Sequence, residues 1–227
     1  MANDNTMTAG RRDVRSTNLG PITTAAAAGV LLALAGSVVL MGIITAEAVY
    51  PDVYTTHENE ISDLGATRPP NSIIRQPSAT IFNGIMMVSG VFVLAAAALL
   101  HRAYGFRRVT LPVAFLGLGV LGVGIFPGNN ATFHPIFALM AFLSGGIAAI
   151  LAAYIQNSPA RYFSWLLGAI TLGFLLIGMA SAPRALFDEV GDGGVERWIA
   201  YPVVLWLTAF GGWLTAARPM EDSGELH

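Results

Sequence analysis

Six long stretches without a charged residue constrain this chain more than any other feature of its sequence. A helix rises about 1.5 Å per residue, so about 20 apolar residues are needed to cross the hydrocarbon core of a bilayer. The sequence therefore predicts an all-α, polytopic membrane bundle of six transmembrane helices. The six stretches are Ile22–Ala46, Ser78–Leu100, Thr110–Phe126, His134–Gln156, Tyr162–Ala182 and Trp198–Ala217.

The composition supports a membrane protein and argues against several other classes. Apolar residues make up 54% of the chain and charged residues only 11%, whereas soluble domains contain about 25% charged residues. The net charge is only −2, so no basic surface indicates nucleic acid as a partner. Cysteine is absent, which excludes disulfides, thiolate metal sites and cysteine nucleophiles. The expected partner is therefore the lipid bilayer, and the oligomeric state is left open.

The distribution of arginine predicts the orientation of the helices. All 12 basic residues are arginine, a bias that we interpret as prokaryotic. Eight of them fall on the side of the N-terminus and four on the other side. Since cytoplasmic loops carry the excess of basic residues, we expect a multi-pass protein of the cell membrane with both termini in the cytoplasm. Residues 1–18 and 218–227 are expected to be disordered tails around one transmembrane domain at residues 19–217.

The longest connection between the stretches covers residues 47–77. A connection of this length is usually functional or disordered, and its tyrosines and isoleucines give it apolar surface to bury. We therefore expect a long, ordered extracytoplasmic loop that folds over the mouth of the bundle. Within it, Ser62 and Asp63 favour a short helix or turn, because both residue types cap helices.

Most of the titratable residues are predicted on the extracytoplasmic side. Nine of the 14 acidic residues fall there, together with two of the four histidines. Such a set can form a site, and it can equally be a solvated surface, because loops are where membrane proteins place charge at low cost. The candidate catalytic residues are Asp63, His134 and Glu196, and the candidate binding residues are Arg197, Asn83, Ser62 and His57.

Each candidate also has a structural interpretation. Asp63 can cap a turn instead of reacting. His134 begins a helix, whose dipole favours a neutral ring that acts as a base, a ligand or a loop anchor. Glu196 can stabilise the start of the sixth helix, while Arg197 can bind phosphate or clamp two helices. Asn83 should hydrogen-bond across helices. We expect the first four to converge on one pocket, with Asn83 beneath it.

A metal site is one of the alternatives that the sequence leaves open. His57 and Glu60 have an i, i+3 spacing that places both on one side of a helical turn. With His134 or Asp63 they would offer nitrogen and oxygen ligands to a divalent ion. No HExxH or comparable signature is present, so the sequence identifies neither a metal nor a cofactor.

Four short motifs follow one another between about Val49 and Trp206. They are Ile61-Ser62-Asp63-Leu64-Gly65, then Phe82-Asn83-Gly84, then Gly124-Ile125-Phe126-Pro127 with His134, and last Glu196-Arg197-Trp198 with Tyr201-Pro202 and Trp206. In these motifs the chain resembles the prokaryotic multi-pass membrane proteins of the family named domain of unknown function 998 (DUF998). The resemblance implies a six-helix membrane protein and no established activity.

A remoter similarity is to the membrane hydrolases that include the alkaline ceramidases. Those enzymes use a seven-helix bundle with a serine, an aspartate and three histidines around a metal. This chain offers Ser62, Asp63, His57 and His134, but it lacks a third histidine on that side and a seventh helix.

The sequence leaves functions of different classes open, including whether the protein is an enzyme. In the first, the protein acts on or binds a lipid or lipid-linked head group at the outer face. In the second, it is a non-catalytic module, namely a small-ligand sensor, an assembly partner or a structural protein, and the same residues clamp loops to helix ends. A transporter is a weaker alternative, because no acid or base lies at mid-membrane to carry a coupling ion.

Overall fold

The computed structural model of the protein describes residues 21–179 and 189–216. Over these residues the chain forms six α-helices, one 3-10 helix and no strand. The 3-10 helix, Ile61–Leu64, lies between the first two α-helices. The α-helices are α1 (Pro21–Ala48), α2 (Ser78–Tyr104), α3 (Arg107–Ile125), α4 (Phe133–Ala152), α5 (Ala160–Met179) and α6 (Gly191–Ala216).

All six α-helices are long and apolar enough to cross a membrane. The predicted class, an all-α multi-pass membrane protein of six helices, is therefore confirmed for the described part of the chain. The predicted tails at residues 1–18 and 218–227 lie outside the described residues, as do Arg184 and Asp188 of the connection between α5 and α6.

The sixth helix begins at Gly191, about two turns before Trp198, where the predicted apolar span starts. Gly191 has a positive φ of 73°, a conformation that favours glycine. Asp192 then lies in the first turn, where the helix dipole favours a negative charge. Glu196 and Arg197, which the sequence placed at the start of this helix, therefore lie more than one turn inside it, because the predicted span followed hydropathy and ended at the charged residues.

The helices form a closed ring in chain order. Each packs against its neighbours in the sequence, and α6 returns to pack against α1, while α4 also contacts α6 across the bundle. Within a bilayer the hydrophobic effect does not drive helices together, so association depends on close packing. Small residues at the contact allow two helix backbones to approach closely. At Gly119 of α3, for example, an added Cβ would lie 2.5 Å from the backbone nitrogen of Ala141 in α4.

The segment between α1 and α2 packs into one end of this ring. We call this end the loop end of the bundle; it carries residues 49–77 and the start of α6. Ile61 and Leu64 of the 3-10 helix are buried there against Ile43 of α1 and Phe82 of α2, in a cluster separate from the main core around Trp206. The 3-10 helix therefore covers the interior of the bundle at the loop end.

Candidate functional site

Glu196 of α6 anchors the 3-10 helix. Its Oε2 accepts hydrogen bonds from the backbone N–H groups of Ile61 and, at 3.4 Å, Ser62. The first N–H groups of any helix lack partners within that helix, and here a side chain from α6 supplies the acceptor. The contact joins two of the sequence motifs and brings Ser62, whose side chain is buried, next to α6.

Asp63 also acts within this short helix. Its Oδ2 accepts a hydrogen bond of 3.0 Å from the backbone N–H of Glu60, and Glu60 in turn forms an ion pair of 2.6 Å with Arg68. Burial raises the pKa of both carboxyl groups above their ordinary values, although Arg68 opposes the shift at Glu60 and the Glu60 N–H opposes it at Asp63. The structure thus places Asp63 in a capping position.

His134 is buried at the start of α4, with 7% of its surface exposed. Its Nδ1 lies 2.8 Å from the carbonyl oxygen of Phe126. A carbonyl oxygen can only accept a hydrogen bond, so Nδ1 must donate. In the neutral ring the lone pair is then on Nε2, which is the remaining acceptor.

A narrow cavity of about 90 Å³ lies under the 3-10 helix, between α1, α2, α3, α4 and α6. Its wall is made of apolar side chains such as Val39, Met86, Val120 and Ala141. On α6 the wall runs from Glu196 to Leu207, which is roughly 16 Å along the helix axis. Among the described residues, its polar lining consists of Ser62, His134 and Glu196.

A wider groove of about 550 Å³ adjoins this cavity. Both spaces are lined by Ser62, His134, Ala138, Phe142 and Glu196, so they meet at the polar end of the cavity. Beyond that boundary the groove runs between α4, α5 and α6, along Leu139, Leu175 and Met179, and it has a polar rim of Glu60, Arg68 and Asp192. Leu139 and Met179 are exposed large apolar side chains, so the groove opens on the apolar flank of the bundle.

Arg197, the residue after Glu196 in α6, lines neither the cavity nor the groove. Its Nη1 donates to the carbonyl oxygens of Thr56, Asn59 and Gly193 at 3.2, 2.9 and 2.8 Å. Its Nη2 donates to Glu47 Oε1 at 2.6 Å and to the Tyr54 hydroxyl at 2.9 Å. We call this set the Arg197 clamp: Arg197, Glu47, Tyr54, Thr56, Asn59 and Gly193.

The Arg197 clamp is well buried. Only 8% of Arg197 is exposed, and its guanidinium lies 5.7 Å from the centre of the Tyr54 ring. The Tyr54 hydroxyl donates to the carbonyl oxygen of Glu60 at 2.9 Å, and burial raises the pKa of that hydroxyl. The clamp therefore ties α1, α6 and residues 54–60 together.

The two remaining candidates lie apart from the cavity. His57 is exposed and pairs with Glu58 at 2.9 Å, and it lines a surface depression together with Arg197 and Trp198. Asn83 of α2 lies against Gly65, and its buried Oδ1 has no hydrogen-bond partner among the described residues. The cross-helix hydrogen bond expected for Asn83 is therefore not formed by this oxygen.

The structure thus divides the candidates into three groups. Ser62, His134 and Glu196 share the cavity, Arg197 and His57 line a separate surface depression, and Asp63 caps the 3-10 helix; Asn83, against Gly65, belongs to none of the three. In the described part of the chain, no three His, Asp or Glu residues are grouped to hold a metal ion. The partner of Arg197, Glu47, was missed from the sequence, although a lone acid in the last turn of an apolar helix was an available signal.

Fold and site together define a multi-pass membrane protein whose helices enclose an apolar cavity with one polar end. The family described as "Protein of unknown function (DUF998)" matches residues 20–213. The chain therefore belongs to the DUF998 family, as the short motifs had indicated. No curated protein and no solved structure gives a significant match.

Proposed function

We propose that this protein binds a lipid-like amphiphile, with the apolar chain in the cavity and the polar head at Ser62, His134 and Glu196. The observation that carries the proposal is the segregation of the lining: apolar side chains along roughly 16 Å of α6 and three polar side chains at one end. Ligand sites are typically apolar with a few convergent polar groups. The narrowness of the cavity favours a single unbranched chain over a bulky ligand.

The adjoining groove supports a ligand that arrives from the bilayer. It meets the cavity at Ala138 and Phe142 and continues between α4, α5 and α6 to exposed apolar side chains. An amphiphile in the neighbouring leaflet can move along such a groove without leaving its apolar surroundings, so its chain need not cross water.

We further propose that the loop end faces the outside of a prokaryotic cell membrane and that both termini are cytoplasmic. The support is the excess of arginine in the segments at the opposite end, which include Arg102, Arg107 and Arg108. A topology reporter inserted at Ala66 is expected to read external. A cytoplasmic reading there would reverse the orientation without affecting the cavity.

A non-catalytic structural module is the second candidate, and the Arg197 clamp is the observation that favours it. The clamp joins two helices and a connecting segment and leaves no terminal nitrogen of Arg197 unbonded. It explains the burial of Arg197 without a ligand. It does not explain the apolar cavity, which Arg197 does not line.

The proposal is tested by filling the cavity. Ala138 lines both the cavity and the groove, so Ala138→Phe would place a ring in the space. The matched control is Ala98→Phe, because Ala98 is exposed on α2. Wild-type protein and the control, purified in detergent, should retain an amphiphile that native mass spectrometry and lipid extraction detect, and Ala138→Phe should lose it. Equal retention in all three would overturn the proposal.

A further inference from the structure

We infer that the head group bound at the polar end of the cavity is a hydrogen-bond-donating, positively charged group, namely the amine of a single-chain amphiphile. This inference rests on the proposed function and names the ligand class for the same site. It follows from which atoms of the site are already used and which remain available.

The first available atom is Nε2 of His134. Because Nδ1 donates to the Phe126 carbonyl oxygen, the neutral ring offers Nε2 only as an acceptor. The ring is more than nine-tenths buried and lines both the cavity and the groove. A ligand that meets this nitrogen must bring a proton donor.

The second available atom is Oε1 of Glu196. Oε2 receives the N–H groups of Ile61 and Ser62, whereas Oε1 has no hydrogen bond within the described residues. Glu196 also lines both spaces. One carboxylate oxygen is therefore occupied by the protein, and the other belongs to a side chain that lines the same two spaces as His134.

The charges of the adjoining rim point to the same chemistry. The groove is lined by three acidic residues, Glu60, Asp192 and Glu196, and by one base, Arg68. Arg68 already pairs with Glu60 at 2.6 Å, so its charge is largely compensated. A phosphate or carboxylate head would meet mainly acceptors and like charge, while an ammonium group would meet opposite charge in an environment of low dielectric constant.

Head groups can be compared on one chain length, with dodecylamine, dodecanol and dodecanoate as probes of the full-length protein in a neutral detergent. Native mass spectrometry gives the apparent Kd of each probe. Because hydrogen bonds to charged groups are the stronger ones, dodecylamine should bind about tenfold more tightly than dodecanoate. Binding of all three should be weakened by Ala138→Phe if they occupy the cavity.

Two variants assign this preference to the site. Glu196→Gln keeps an oxygen for the Ile61 N–H but removes the negative charge, so it should reduce the advantage of the amine over dodecanol. His134→Asn keeps a donor near the Phe126 carbonyl and removes the Nε2 acceptor, and it serves as an independent variant should Glu196→Gln fold poorly. The control is Glu58→Gln, an exposed acid paired with His57 outside the cavity, which should leave the preference unchanged.

The outcomes separate the two proposals. If the probes bind in a manner sensitive to Ala138→Phe but dodecanoate equals or exceeds dodecylamine, the amine inference is overturned and the cavity proposal stands. The same holds if Glu58→Gln reduces the preference as much as Glu196→Gln does. If no probe shows a binding component that Ala138→Phe removes, the proposed function itself fails.

Discussion

Glu196 and Arg197 are consecutive residues of α6, yet they occupy different kinds of environment. Successive residues of a helix point about 100° apart, and the two side chains contact different parts of the 49–77 segment. The terminal nitrogens of Arg197 have five oxygen partners within the protein. Glu196 uses one oxygen to hold the 3-10 helix and, with Ser62 and His134, lines the polar end of the cavity.

This difference separates two reasons for placing a charge near hydrocarbon. An ionisable group there is costly unless it is paired. The Arg197 clamp meets most of that cost with five protein oxygens around the two terminal nitrogens, while the buried Nε of Arg197 has no hydrogen-bond partner among the described residues. Glu196, by contrast, lines the cavity, and its Oε1 has no hydrogen-bond partner within the described residues. Unused capacity at a cavity, rather than burial of a charge, is therefore the feature that distinguishes a candidate site from a structural ion pair in this protein.

Of the substitutions considered for stability, removal of Arg197 should produce the largest decrease in the free energy of unfolding. Arg197→Met leaves Glu47 without its partner in a largely buried position and deprives the carbonyl oxygens of Thr56 and Asn59 of a donor. Breaking a buried ion pair from one side typically costs about 3–5 kcal/mol. The free energy of unfolding, measured by denaturant titration in detergent, should fall by about that amount.

The control for this change is Arg107→Met at the start of α3. Arg107 is exposed and forms no ion pair within the described residues. Surface substitutions of this kind usually stay within about 0.5 kcal/mol. Equal destabilisation by the two variants would show that the clamp does not stabilise the fold and would remove the contrast with Glu196.

The helices were predictable because their length and apolar character are local properties of the sequence. The same criterion misplaced the start of α6, since Asp192, Glu196 and Arg197 interrupt the hydropathy without interrupting the helix. There the turn signal was Gly191 with its positive φ. Hydropathy therefore found the six α-helices of the described residues, but it set the start of α6 too late, where charged residues lie in the first turns of the helix.

The candidate site was predictable only as a set of residues at one end of the bundle. Which of them meet depends on the rotation of five helices around the cavity, and that is fixed by long-range packing. The clamp joins residues 150 positions apart, Glu47 and Arg197, and no local pattern specifies that pairing. The family motifs did carry the right information, since the ISDLG and ERW segments meet through Glu196 and the 3-10 helix.

A smaller loss of stability is expected at Glu196. Glu196→Ala removes the acceptor of the Ile61 and Ser62 N–H groups, and loss of a helix N-terminal acceptor typically costs about 1–2 kcal/mol. Glu196→Gln retains an amide oxygen and should stay closer to wild type in the same unfolding measurement. If Glu196→Ala cost as much as Arg197→Met, both residues would be structural and the comparison would break down.

The smallest effect concerns two aspartates of the 49–77 segment whose pKa values shift in opposite directions. Burial raises the pKa of Asp63, whereas the Val53 N–H and the ion pair with Arg75 lower that of Asp52. A raised pKa means that the folded state holds the proton more tightly, so the contribution of Asp63 is full below its unfolded pKa, about 3.9, and is lost as pH rises through the higher folded value. The contribution of Asp52 is present above about pH 3.9 and is lost as pH falls through its lower folded value. The free energy of unfolding is measured from acidic to neutral pH. The part of it that falls as pH rises should be absent in Asp63→Asn, and the part that rises with pH should be absent in Asp52→Asn. The opposite assignment would mean that Asp63 is held in the folded protein as a stabilised carboxylate, which would return it to the list of candidate charged ligands for an amine.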